Sequence, residues 1–282
     1  MAACNYDDYI GNEYPLKRGI LITIFSQSFP LKHGDDNYLK KSMLTIEGGV
    51  RADVDARFLQ DVFKELYPET SDVILKNSQT KLQVKYYIQQ LGKKENKEYD
   101  YYFFVFLTYM SCSNIESSSN KDERIHLYDG LCPMQEFYDE VKRVEALAMK
   151  PKIFLVQADD INLLDDKKFT KTKGEMVIVK AMKIPQDADR LVLMSDLPQR
   201  LANPDLKAGD KLPSFLIQAF GKTLLNNSKR SPEKRLDLLA LTPIINSKVL
   251  KRIDDLRKDG NKRAKDMTVP LVSTTLTKLV KI

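Results

Sequence analysis

KPKIFLVQADD, residues 150–160, is the stretch that decides the fold. Ile153, Phe154, Leu155 and Val156 form the continuous apolar run expected of a strand buried on both faces. Gln157 and the small Ala158 follow, and then two carboxylates, Asp159 and Asp160. Reactive groups of α/β proteins gather at the C-terminal ends of such strands, so this one segment raises both the architecture and the chemistry.

Working outward, RGILITIFS (18–26) and YYFFVFLTYMS (101–111) repeat the same apolar pattern and read as two more buried strands, with the second central. SDVILK is a shorter strand. Between them, ADVDARFLQDVFKELYP places Val54, Phe58, Leu59, Val62, Phe63 and Leu66 on one helical stripe, and Pro68 ends it. TKLQVKYYIQQLGKK is a second helix, with Leu82, Tyr86 and Leu91 expected inward and Gly92 as its stop. SCSNIESSSNKDE is a polar loop of low complexity. PMQEFYDEVKR is a third helix, with Pro133 suited to its first turn. The order β-α-β-α-β-α-β predicts a largely parallel sheet with helices on both faces. Beyond it, DADRLVLMS is a strand and PSFLIQAFGKTLL a helix with Phe215, Leu216, Ala219 and Phe220 apolar. EKRLDLLALTPIINSKVLKRIDDL is a long helix, bent at Pro243. MTVPLVSTTLTKLVKI is a closing strand rich in β-branched residues, with Pro270 at an edge or first-residue position.

Composition removes several function classes. The chain has 282 residues, 43% of them hydrophobic and 30% charged, which is ordinary for a globular protein. No run approaches the roughly 18–20 apolar residues that a membrane span requires, and the first residues lack the apolar core of a secretory signal. Cys4, Cys112 and Cys132 show no paired spacing, as reduced thiols of a cytoplasmic protein would not. His33 and His126 lie near no cysteine pair, so no zinc site is expected, and no glycine-rich phosphate loop is present. The net charge of +6 is dispersed, and the basic stretch 251–266 is interrupted by acids. It reads as a solvated helix end and loop, not a nucleic-acid surface.

Several of these stretches together resemble the caspase (C14) family of cysteine proteases, from about Tyr14 to Ile282. GGVRADVDARFLQDVFKEL resembles the family's loop and first helix. YDYYFFVFLTYMS resembles its strand ending in Leu-Ser-His-Gly, and KPKIFLVQADD its strand ending in Gln-Ala-Cys-Arg-Gly. IPQDADRLVLMS, PSFLIQAFGKTLL, LTPIINSKV and MTVPLVSTTLTKL resemble the small-subunit strands and helices. The resemblance implies one structural domain, a three-layer α/β sandwich with a six-stranded, mostly parallel sheet flanked by helices. It divides the chain into a short extension (1–13), a large-subunit-like region (14–158), a linker-like loop (159–176) and a small-subunit-like region (177–282). So short an extension matches effector-type members and leaves no recruitment domain.

The catalytic positions depart from the family. Counted without gaps, its cysteine nucleophile falls on Asp159 and the next arginine on Asp160. Its histidine falls on Tyr109 and the following glycine on Met110, with Thr108 where serine is usual. The two arginines that hold a substrate aspartate fall on Gly49 and near Asn203 or Pro204, with Arg51 and Arg200 close by. Cys112 and Cys132 lie outside the motif.

These replacements do not sustain amide hydrolysis. A carboxylate that adds to an amide carbonyl is itself the better leaving group, with a pKa near ~4, and the adduct reverts. A phenol, with a pKa near ~10, is a poor base at neutral pH. The Met110 side chain stands where glycine lets the backbone approach an oxyanion. Asp159 and Asp160 point to opposite faces of their strand and cannot share a proton as an aspartic dyad does. Asp159 is therefore expected as a solvated carboxylate in a vacated cleft, and the chain as a non-enzyme without cofactor or metal.

Family members dimerise through their last strand. Here that segment, Thr268 to Lys278, keeps Val269, Leu271, Val272, Thr274 and Leu276, and so few charges suit a paired edge. The expected role is a decoy that heterodimerises with an active caspase paralogue and more readily activates it. Dominant-negative inhibition is the alternative, followed by sequestration of aspartate motifs and residual peptidase activity. Homodimerisation is open. The linker acids Asp159, Asp160, Asp165 and Asp166 offer cleavage sites, but the chain is expected to stay whole. Neither nucleic acid nor membrane is expected as a partner.

Overall fold

The computed structural model describes residues 11–27, 52–93, 97–110, 124–160, 188–197, 212–260 and 267–282. In chain order the elements are β1 (Ile20–Ser26), α1 (Ala52–Leu66), β2 (Ser71–Asn77), α2 (Lys81–Gln90), β3 (Tyr101–Met110), β4 (Arg124–Leu127), β5 (Gly130–Pro133), α3 (Met134–Arg143), β6 (Lys152–Asp160), β7 (Arg190–Ser195), α4 (Phe215–Ser228), α5 (Leu238–Lys258) and β8 (Leu271–Thr274).

The apolar runs become the middle of one sheet in the order β2-β1-β3-β6-β7-β8. Its first five strands are mutually parallel, and β8 runs antiparallel to β7 at the edge. Every residue of β3 is buried because each face of the strand meets a helical layer. Phe103, Val105 and Leu107 pack with Leu59 and Phe63 of α1, Leu216 and Phe220 of α4, and Ile245 and Val249 of α5. Tyr102, Phe104 and Phe106 pack on the opposite side with Val84 and Ile88 of α2 and Phe137 and Val141 of α3. The result is the expected three-layer α/β sandwich, with five α-helices among the described residues around a mostly parallel sheet. Six strands form the main path. The hairpin β4–β5 was not expected, and it hangs from the end of β3 through the Met110–Ile125 pairing.

Three details depart from the sequence reading. On α2, Leu82 and Tyr86 are exposed, at 74% and 62%, while Val84 and Ile88 are fully buried. The two sets are two positions apart, roughly 200° around a helix of 3.6 residues per turn, so the stripe of Val84, Ile88 and Leu91 leaves the others in solvent. The start of α2 is fixed by a capping box: Gln83 N donates to Thr80 Oγ1 at 3.2 Å and Thr80 N to Gln83 Oε1 at 2.9 Å. The long helix begins later than expected, at Leu238, where Asp237 Oδ1 accepts from Leu239 N at 2.9 Å and Ala240 N at 3.2 Å. Pro243 lies inside it; the Leu239 carbonyl that loses its amide partner there accepts from Thr242 Oγ1 at 2.8 Å. The closing strand spans four residues, Leu271–Thr274, in place of the expected 268–278.

Helix-to-helix and loop contacts fix the frame. A Cβ on Gly221 would stand 2.6 Å from Phe58 Cε1 and 2.9 Å from Val62 Cγ2, so only glycine lets α4 approach α1 this closely. Gly19, with φ +104°, would place a Cβ 2.2 Å from Thr70 O. At the other end, Leu279 N donates to Asn12 O at 2.8 Å and Tyr14 N to Leu279 O at 3.0 Å, a parallel bridge of Glu13 with Leu279.

Candidate functional site

The pairing of β3 with β6 brings the two strand ends singled out in the sequence side by side. Tyr109 is the register partner of Asp159, and Met110 of Asp160. Strands of a sheet lie ~4.8 Å apart, so the phenol and the carboxylate leave adjacent backbones in the same direction. Side-chain alternation separates the two acids as expected. Asp159 is buried, Asp160 half-buried, and Met110 joins Ala158 and Val156 in the apolar cluster beneath α2 and α3.

Asp159 is not the solvated carboxylate that the sequence suggests. It is 2% exposed, and Gln157 Nε2 donates to its Oδ1 at 2.7 Å. β6 continues as a paired strand to Asp160, so residues two apart share a face and the carboxylate stays within the sheet instead of leaving it on a loop. The same amide nitrogen donates to Leu197 O at 3.0 Å, and Gln157 Oε1 is buried without a hydrogen-bond partner among the described residues. Gln157 is the site residue that the sequence reading passed over. Its signal was a polar side chain inside an apolar run, two positions before an acid.

The surroundings are equally closed. Tyr109 is 1% exposed. Thr108 Oγ1 donates to His126 O on β4, and Asp160 N to Asp196 O at 3.0 Å beyond β7. Cys132 on β5 is fully buried, and burial, reinforced by Glu136, pushes its thiol up to about 12. It is a packed side chain and no nucleophile. Among the described residues no group of three or more His, Cys, Asp or Glu side chains is placed to hold a metal ion, and no helix is long and apolar enough to cross a membrane. Gly49, Asn203, Pro204, Arg51, Arg200, Cys4, Cys112 and His33 lie outside the described residues, as does the linker beyond Asp160.

A caspase-domain family model matches residues 49–281. The chain belongs to the caspase family. Among solved structures, this caspase homologue is similar to a structure titled pro-sf-caspase-1, with 18% identity, a TM-score of 0.67, and coverage of 98% of this chain and 100% of that one. It is also similar to caspase-1 from Spodoptera frugiperda, with 17% identity, a TM-score of 0.60, and coverage of 96% and 93%. At such identity the likeness is one of fold. No curated protein matches.

The edge strand β8 holds the residues that the sequence offers as a partner seam. Thr275 N donates to Arg190 O at 2.7 Å and Thr275 O accepts from Asp189 N at 2.9 Å, so both groups of Thr275 face β7. Alternation along an antiparallel pair then turns the backbone groups of Val272 and Thr274 toward the outer edge, with which no strand pairs among the described residues. The side chains do not form one patch. Val272 and Leu276 pack against the chain's own core, whereas Val269, Leu271 and Thr274 are exposed.

Proposed function

We propose that this chain is a catalytically inactive caspase homologue that regulates an active caspase by pairing with it through β8. The observation behind the first half is the register of Tyr109 with Asp159. A thiolate and an imidazole supply the nucleophile and proton carrier of caspase-type hydrolysis. Here a buried carboxylate already engaged by Gln157 and a buried phenol stand at those strand ends. The carboxylate's adduct reverts, and a phenol, with an ordinary pKa near ~10, is a poor base at neutral pH. The Met110 side chain turns to the opposite face of the sheet, into the cluster with Val156 and Ala158.

The second half rests on β8. Its outward backbone groups at Val272 and Thr274 can continue the sheet into a twofold mate, with Leu271 and Val269 covering the junction. Such docking needs a fold and an edge but no nucleophile, and it can hold the partner's active-site loops in their working arrangement. In this reading the regions 14–158 and 177–282 remain one chain, with Asp159 and Asp160 held in β6 and the connection starting only after them, in a cytoplasmic setting.

The test is a titration of this chain into a limiting, weakly dimeric active caspase with cleavage of an aspartyl peptide as readout. A rising rate with a heterodimer in light scattering is the expected result. A falling rate with the same complex makes the chain a dominant-negative inhibitor. An unchanged rate without a complex overturns the pairing, and cleavage by the chain alone that is lost in Asp159→Ala overturns its inactivity.

A further inference from the structure

A cavity of about 760 Å³ opens at the end of the sheet opposite to Asp159. β6 separates the two, and its nine residues span roughly 26 Å. The wall gathers the segment before β1, the turn before β6, the start of α5 and the chain that follows β8. Its apolar part is formed by Pro15, Met149, Leu239, Leu276 and Leu279.

Each acid of the wall is engaged from within. Asp100 accepts from Lys17 N and Arg18 N at 2.5 Å each and from Arg18 Nε at 2.9 Å. Asp189 Oδ1 accepts from Tyr14 OH at 2.5 Å and Thr277 Oγ1 at 2.6 Å. Asp237 caps α5. Lys150 is different. Its side chain is 15% exposed, yet its one carboxylate contact among the described residues is Glu98, at 3.9 Å, and Glu98 is already paired with Arg18. The ammonium lies 5.5 Å from the centre of the Tyr102 ring. Burial, followed by the charge of Arg18, lowers its pKa from the ordinary lysine value and outweighs the opposing charges of Glu98 and Asp100. A lysine whose side chain is only 15% exposed, in the same wall as apolar side chains around a space of small-molecule size, suits one kind of ligand.

We propose that this cavity binds a small amphipathic anion, its acidic head on Lys150 and its apolar body against Met149, Leu239 and Leu276. Binding there does not depend on whether the chain cuts peptides or pairs with a partner.

The probes are 1-anilinonaphthalene-8-sulfonate and its uncharged counterpart N-phenyl-1-naphthylamine, titrated by fluorescence into the folded 282-residue chain. The sulfonate is expected to saturate one site and to bind roughly tenfold tighter than the neutral probe. Lys150→Gln removes most of that preference. Leu239→Asp puts a like charge into the wall at the start of α5, where an acid favours the helix, so binding of the sulfonate falls while the melting temperature holds. Lys229→Gln, an exposed lysine beyond α4, changes nothing. The proposal is overturned by unsaturable sulfonate binding, by equal affinity for both probes, or by sulfonate affinity that neither Lys150→Gln nor Leu239→Asp reduces.

Discussion

Asp55 and Ser214, 159 positions apart in the chain, are joined by two hydrogen bonds of 2.5 Å: the amide and the hydroxyl of Ser214 both donate to the Asp55 carboxylate. Both residues are fully buried. Asp55 sits in the first turn of α1 and Ser214 is the N-cap of α4, so a side chain of one helix caps the start of another.

Asp55→Ala is expected to lower the unfolding free energy by about 3 kcal/mol, because it leaves a buried hydroxyl and a helix-terminal amide without their acceptor. Urea denaturation followed by circular dichroism measures it. A loss below ~1 kcal/mol would show that the cap is incidental.

Gly221→Ala should destabilise by about 1–3 kcal/mol, since its Cβ meets Phe58 and Val62 across the α1–α4 contact. Gly19→Ala should cost more, because the new Cβ would run into backbone at a positive φ. Thermal unfolding of the two variants ranks them.

Acid should weaken the fold through Asp100. Burial raises its pKa, but the amides of Arg18 and Lys17 and the Arg18 guanidinium outweigh burial and hold it below the ordinary carboxylate value. A depressed acid contributes stability above its unfolded pKa, near ~4, and loses it as pH falls through the lower folded value. Asp100→Asn is expected to flatten the stability profile below pH ~4 and to lower the plateau above it, as read by denaturation at a series of pH values.

Asp159→Cys alone should leave cleavage of aspartyl peptides at background. Tyr109, in register opposite, offers a phenol and not the imidazole that carries the proton in caspase-type hydrolysis. Turnover by this single variant would mean that the base comes from another part of the chain.

Thr274→Pro removes an outward-facing amide from β8, while the inward groups of Thr275 stay on β7. The heterodimer should vanish from light scattering, with a modest drop in melting temperature because the Thr274 hydroxyl also donates to Arg190 O at 3.3 Å and accepts from Leu276 N at 3.2 Å. Retention of the complex would place the seam elsewhere.

The apolar runs at 20–26, 101–110 and 152–156 were legible as buried strands because no other element needs unbroken hydrophobicity at that length. The hairpin β4–β5 was not, because four-residue strands beside a polar stretch give little periodicity; the Asp129-Gly130 pair was its only turn signal. The inward face of α2 was misread because Leu82 and Tyr86 are as apolar as Val84 and Ile88, and only the neighbouring layer chooses between them. At the candidate site, the identities at Tyr109 and Asp159 were legible from the family resemblance, whereas their adjacency came only with the pairing of β3 and β6. The burial of Asp159 was not legible either, since it depends on Gln157 and on the carbonyl of Leu197, reached through tertiary contact. The Asp55–Ser214 bond is of the same kind: local sequence holds no record of a partner so far away.

The parallel bridge between Glu13 and Leu279 has a mechanical consequence. Tension applied at Gly11 and Lys281 draws two parallel segments in opposite directions along their length, so both hydrogen bonds of the bridge share the load at once instead of unzipping one by one. Stretched in that way, the molecule should resist as a shear joint, and give way at lower force when pulled from the middle of α5.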